Sequence, residues 1–223
     1  MLGIEVDKII IYPLGGISKF KLTLNISPEK EMLILIMGPL SQFIAYLILM
    51  YIFPYDIVLI KKYHYGILLF NLLPIYPLDG GKLINIVLSL KLSFKESLFL
   101  SIIISYITIT LVLAINHTNI QLNLILMIVF LIYKVTKEYR QIDFIYQKFI
   151  LERYLYKYKF KKGIIINNPS KFHRNKRHLL KLNDKYYLEE EYLEKIYKRD
   201  WHLKLYCAII QLLTARKQIV MGH

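Results

Sequence analysis

The amino-acid sequence predicts an all-α polytopic membrane protein with about four transmembrane helices, a small β-hairpin at the N-terminus and a basic cytoplasmic tail. Three observations carry that prediction. Apolar residues make up 56% of the 223-residue chain, too large a share for an ordinary soluble enzyme of this size. Leu33–Phe53 is a run without a single charge, long enough to cross ~30 Å of hydrocarbon at ~1.5 Å per residue. The formal charge of +14 is unevenly placed, with nine Lys against seven Asp and Glu in residues 1–133, and twenty-one Lys and Arg against nine Asp and Glu in residues 134–223. A basic excess beside a membrane domain marks the cytoplasmic side, where it also meets anionic lipid.

The segments divide as 1–31, a membrane-associated hairpin; 32–135, the transmembrane core; and 136–223, the basic tail. In the first, Lys8–Tyr12 and Lys19–Ile26 read as strands on either side of a Pro13-Leu14-Gly15-Gly16 turn. No apolar signal-peptide core precedes Lys30. Within the span Leu33–Phe53, Gly38, Ser41 and Ala45 fall at helical spacing and allow close helix approach. Pro54–His64 is a loop, and Tyr65–Leu90 is a second span interrupted at Pro74–Gly81. Ser97–Ile115 and Asn116–Tyr133 complete the set, so both chain ends fall on one side of the membrane. The tail, Lys91 and Lys95 assign that side to the cytoplasm, while Lys61 and Lys62 dissent. Lys134–Tyr158 reads as a helix that either lies on the lipid surface or is simply solvated. Lys159–Ser170 is a turn-rich boundary, Tyr186–Trp201 an amphipathic charged helix, and Leu203–Thr214 an apolar helix too short to span. The single cysteine, Cys207, cannot close an intrachain disulfide. Nucleic-acid binding competes for the basic charge, but no recognisable module accompanies it, and none is expected.

The centre of the sequence is Asn71-Leu-Leu-Pro74-Ile-Tyr-Pro77-Leu-Asp79-Gly80-Gly81-Lys82. Carboxylates inside a bilayer are costly, which makes Asp79 a candidate functional residue. Pro74 and Pro77 break a helix, and Gly80 and Gly81 let another backbone come close. Broken backbone at membrane depth survives only where protein or a water-filled cavity surrounds it. The stretch is therefore expected to wall a buried polar site.

This wording resembles the Asp-containing motif of the site-2-protease family of intramembrane zinc metalloproteases, and within it the sporulation members. Tyr12-Pro13-Leu14-Gly15-Gly16 resembles the family's Pro-x-Gly-Gly segment, and Met37-Gly38-Pro39-Leu40-Ser41-Gln42 its Gly-Pro helix start. Tyr139-Arg140-Gln141 and Leu151-Glu152-Arg153-Tyr154 extend the likeness more weakly. The resemblance implies a catalytic Zn2+ with Asp79 as one ligand. It implies substrate contacts at Asn71, Pro74, Pro77, Gly15 and Gly16, and shaping roles for Gly80, Gly81, Gly38 and Pro39. For Gly38 packing, and for Asn71 a simple interhelical hydrogen bond, remain open alternatives.

A hydrolytic zinc site needs about three protein ligands and an open position for water. The family's other two ligands and its general base come from a His-Glu-x-x-His helix, which has no counterpart here. His64 would sit ~22 Å from Asp79 on a continuous helix. His117 belongs to a loop, His173 and His178 miss the i,i+4 spacing, and His202 and His223 lie near the C-terminus. No Gly-x-Ser-x-Gly is present, and Asp56, the other membrane-region aspartate candidate, belongs to a loop. The expectation is that the missing helix belongs immediately before Met1, so that this stretch alone is inactive; a degraded, proteolytically silent relative is the alternative.

The resemblance thus implies regulated intramembrane proteolysis of a membrane-associated protein, such as a transcription-factor precursor in sporulation. The partners would be the lipid bilayer and membrane regulatory proteins, and the location the cell membrane, multi-pass, with a cytoplasmic C-terminus. Two other classes stay open. A metal-free scaffold would keep the substrate groove; a transporter component would use Asp79 as an ion site and call for an inverted repeat or second broken span, neither of which is found.

Overall fold

The computed structural model describes residues 6–12, 15–20, 24–117, 121–158, 160, 162–182 and 184–199. Strands β1 (Val6–Tyr12) and β2 (Gly15–Phe20) form an antiparallel hairpin. Tyr12 pairs with Gly15 and Ile11 with Gly16, so both glycines belong to the second strand rather than to the turn. Of the predicted Lys19–Ile26 strand, Lys19 and Phe20 are in β2, residues 21–23 lie outside the described residues, and Leu24 and Asn25 form a turn.

Helix α1 (Pro28–Ile52) starts earlier than the predicted span, because residues 27–31 carry complete start signals. Ser27 is extended, Pro28 occupies the first turn where its missing N–H is no loss, and Glu29 and Glu31 sit at the positive end of the helix dipole. The Gly38-Pro39 pair, expected at a helix start, lies inside α1. Most of α1's apolar side chains are exposed, as befits a helix with lipid around it. After a 3-10 turn at Pro54–Asp56, α2 (Ile57–Asn71) takes in most of what the sequence suggested was loop, and Lys61, Lys62 and His64 are helical. The predicted interruption follows, and α3 (Asp79–Ser89) resumes after it.

Helix α4 (Phe94–Ile115) opens on a capping box in which Ser93 Oγ accepts from Glu96 N–H and the Glu96 carboxylate accepts from Ser93 N–H. Helix α5 (Leu122–Tyr156) runs for 35 residues without a break across residue 135, where the core was expected to give way to the tail. Among the described residues, α1 and α4 are long and apolar enough to cross a bilayer. Ile102 and Ile109 of α4, Ile128, Leu131, Val135 and Ile142 of α5, and Ile75 from the link between α2 and α3 share one apolar core.

The tail holds a three-stranded sheet that the sequence did not announce, so the chain is mostly helical rather than all-helical. Strand β3 (Gly163–Ile166) lies parallel to β4 (Arg177–Leu182), which pairs antiparallel with β5 (Lys185–Leu188). Helix α6 (Glu189–Arg199) takes most of the helix predicted over Tyr186–Trp201, whose first three residues belong instead to β5, and Leu203–Thr214 lies outside the described residues. Phe172, Leu180, Leu193 and Tyr197 of this module close on Phe94 of α4 and Phe149 of α5, whose rings stack at 4.2 Å. Phe94 N–H also donates to Phe172 O at 2.8 Å. Since Glu31 pairs with Arg174, the start of α1, the start of α4 and the second half of α5 all meet the module on one side.

Candidate functional site

Pro74 and Pro77 leave the link 72–78 without regular helical bonding, and the chain compensates with local turns. Ile75 N–H donates to Leu73 O at 2.7 Å and Leu78 N–H to Ile75 O at 2.8 Å, while the Tyr76–Pro77 peptide is cis. Tyr76 N–H donates to Ser105 Oγ at 2.7 Å, and that hydroxyl passes its own proton to Ser101 O at 2.7 Å. Ser97, Ser101 and Ser105 recur every fourth residue on the buried face of α4, so a small polar stripe stands where the broken backbone needs an acceptor. Sequence reasoning missed this stripe, although its spacing was readable.

The two glycines after Asp79 are required by close approach. A Cβ on Gly80 would come within 2.5 Å of Leu73 O and closer still to Leu72 O, and one on Gly81 would collide with Tyr76 N and Ile75 C. Leu78 is extended and Lys82 N–H reaches back to Leu78 O at 2.9 Å, which makes Asp79 the first residue of α3. There its carboxylate meets the positive end of the helix. A Cβ on Gly38 of α1 would lie 3.5 Å from Asp79 Oδ2, so Gly38 keeps the space before the carboxylate open. Lys82 Nζ stands 3.8 Å from Asp79 Oδ1, and the aspartate side chain retains 30% of its exposure. Gly38 is ten residues into α1 and Ser105 eleven residues into α4, which places this carboxylate about 15 Å from the module ends of those helices, near the middle of their length.

Of the other predicted residues, Asn71 ends α2, Pro74 and Pro77 line the half-buried link, and Pro39 follows Gly38 within α1. Gly15 and Gly16 lie in the hairpin. His64 is buried and stacks on Tyr46 at 4.2 Å, within an aromatic cluster that also holds Phe43 and Tyr65. His117 Nδ1 bonds to Ala114 O at 2.9 Å. His202 and His223 lie outside the described residues. Among the described residues no three His, Cys, Asp or Glu side chains stand together as a metal site would need. Asp79 is a single hard donor, and this donor set by itself does not fit a catalytic zinc ion, so no chemical step is drawn through one.

A second polar cluster, also missed from sequence, joins the module to the membrane helices. Arg153 is 3% exposed, and all three nitrogens of its guanidinium donate. Nε bonds to Asn25 Oδ1 at 2.7 Å, Nη1 to Glu189 Oε1 at 2.7 Å and Lys176 O at 3.0 Å, and Nη2 to His173 O at 2.7 Å. Glu152 accepts from Leu24 N–H at 2.7 Å, and Asn25 Nδ2 donates to Phe149 O at 3.0 Å. His178 Nε2 accepts from His173 N–H at 2.9 Å, which leaves the proton on Nδ1, 2.9 Å from Glu189 Oε2. Burial pushes the His178 imidazole below its ordinary pKa, and a second proton would face the His173 N–H. Burial works against ionised Glu189 too, but His178 and Arg153 together hold its carboxyl below the usual range. Burial also raises the Glu152 carboxyl above the usual range.

No family profile matches the chain. The chain is similar to stage IV sporulation protein FB of Bacillus subtilis, 31% identical over 158 residues that cover 67% of this chain and 55% of that protein. It is also similar to a zinc metalloprotease of Methanocaldococcus jannaschii, 27% identical over 150 residues, 63% of this chain and 43% of that one. The chain thus spans about half the length of the curated relatives it matches. The curated homologues of this chain are thus a site-2 protease of the sporulation type and a zinc metalloprotease, at modest identity over about 65% of the chain.

Proposed function

We propose that this protein works as an intramembrane zinc metalloendopeptidase of the site-2-protease type, cutting a membrane-associated protein at or within the bilayer, with a transcription-factor precursor in sporulation as the substrate class. The observation that carries the proposal is the Asp79 carboxylate, part-exposed at the start of α3 with the Cβ-free face of Gly38 before it. In this reading Asp79 is a metal ligand whose partner ligands come from outside the described residues. Asn71, Pro74, Pro77, Gly15 and Gly16 receive the substrate backbone, and Gly80, Gly81, Gly38 and Pro39 shape the approach. Four spans with the C-terminus in the cytoplasm accord with the way α1, α4 and α5 meet the basic module on one side. Membrane regulatory proteins complete the expected partners.

Asp79, with no companion donors among the described residues, favours a second reading, a metal-free scaffold that binds the same substrate without cutting it. The test is a membrane-tethered reporter produced in cells with the protein carrying a His-Glu-x-x-His helix joined ahead of Met1. Cleavage that stops with a chelator and with Asp79→Asn supports the protease. Cleavage that survives Asp79→Asn overturns it, and a reporter that is retained uncut by the unsubstituted protein supports the scaffold.

A further inference from the structure

Three consecutive residues of the β3–β4 connection tie the module to three different helices. Phe172 O accepts from Phe94 N–H at the start of α4 at 2.8 Å, His173 O accepts from Arg153 Nη2 of α5 at 2.7 Å, and Arg174 pairs with Glu31 of α1. The N–H of the middle residue donates to His178 Nε2 at 2.9 Å. The His178 side chain has no exposed surface. Its Nδ1 lies 2.9 Å from Glu189 Oε2 of α6 and 3.2 Å from Arg153 Nη1 of α5, and the His173 ring stacks on it at 6.0 Å. Phe172 supplies an apolar wall at 4.6 Å.

Those neighbours leave no place for a second proton. Nδ1 already donates to Glu189, so the proton would have to sit on Nε2, where it meets the His173 N–H head on. The new charge would also be unbalanced, because Glu189 gives Oε1 to Arg153 Nη1 and Oε2 to the His178 backbone N–H and Nδ1. Burying such an unpaired cation costs more than opening the contact around it.

We propose that His178 is an acid-operated latch: its second proton expels the His173 N–H, frees residues 172–174 and lets the module part from the starts of α1 and α4 without unfolding the helices beneath it. The released imidazole titrates near its ordinary 6.5 and the docked one lower, so release is rare above 6.5 and grows as pH falls below it. With the docked ring refusing the proton, release becomes about tenfold more frequent at pH 5.5 than at pH 7.5. The inference concerns docking alone and is independent of any proteolytic activity.

The experiment is hydrogen exchange on the full chain in detergent at pH 7.5 and 5.5, corrected for the intrinsic effect of pH and read by mass spectrometry. Peptides covering 171–179 and 93–96 should lose about tenfold in protection at pH 5.5, while those covering 101–109 of α4 keep theirs. His178→Gln, whose amide can serve both Glu189 and the His173 N–H without titrating, should hold 171–179 protected at both pH values. His173→Gln and Glu152→Gln, which remove the other titrating side chains of the junction, should keep the response. A change below about threefold at 171–179, an equal loss at 101–109, or a response that survives His178→Gln or disappears with either control overturns the proposal. The histidine ring nitrogen-15 shifts of the unsubstituted chain give a second reading: a docked form with both His178 nitrogens protonated at pH 5.5 overturns it whatever the variants do.

Discussion

Asp79 and Arg153 are both charged groups that the fold holds at a helix surface, and they are treated in opposite ways. Asp79 has a single cationic neighbour at 3.8 Å, retains a third of its side-chain surface and faces a glycine. Arg153 is sealed, with four residues from three chain segments accepting its hydrogen bonds and Phe149 and Phe160 against its guanidinium at 4.9 and 4.7 Å. A group held open at a cost in solvation is one the fold does not need for itself; a group whose three nitrogens all have acceptors is one the fold cannot lose. Stability and function should therefore separate between the two residues.

The largest expected effect is that of Arg153→Ala. It strands Glu189 and Asn25 in the interior and should destabilise the protein by about 3–5 kcal/mol, read by denaturant or thermal unfolding in detergent. A loss under 1 kcal/mol would erase the contrast. Gly80→Ala comes next, since its Cβ meets the Leu72 and Leu73 carbonyls and must shift the link; a loss of about 1–3 kcal/mol is expected. Gly66→Ala is its control, because nothing lies within 4 Å of that Cβ, and it should stabilise α2 by about 0.5–1 kcal/mol.

Ser105→Ala removes the only bond assigned to Tyr76 N–H and should cost about 1–3 kcal/mol, with Ser105→Thr restoring most of it. For His178 the effect is on pH. The unfolded chain takes up a proton near the ordinary value of 6.5 that the folded imidazole refuses, so stability is full above 6.5 and falls as pH drops below it. Glu152, raised by burial, pulls the other way, which is why the comparison is with His178→Gln: the variant should flatten the fall in melting temperature between pH 7.5 and 5.5. The smallest stability effect is expected for Asp79→Asn, under about 1 kcal/mol, because only a part-exposed ion pair is lost. Melting temperature unchanged and reporter cleavage abolished is the result that sharpens the comparison most.

The central break was legible because each residue in it does something local. Two prolines end a helix, two glycines allow contact, and one carboxylate in an apolar run demands a reason. Helices α1 and α4 were legible from length and composition for the same reason, though the start signals at Ser27 and Pro28 stand ahead of the span read from Leu33. The Arg153 cluster was not legible, since its partners lie as far as 128 residues away and a basic tail reads as a solvated one. The sheet was a partial loss. Its strands run only four to six residues, yet Arg177–Leu182 and Lys185–Leu188 flank Asn183-Asp184, a pair suited to a tight hairpin, and Asp184 takes the left-handed φ of 58°.

The unbroken course of α5 has a mechanical corollary. A rod of 35 residues, about 52 Å, is clamped at one end by the Arg153 cluster and buried at the other beside Ile75, four positions ahead of the bilayer carboxylate. Such a rod cannot bend cheaply, so any force that tilts the small sheet is delivered as leverage on the link beneath it.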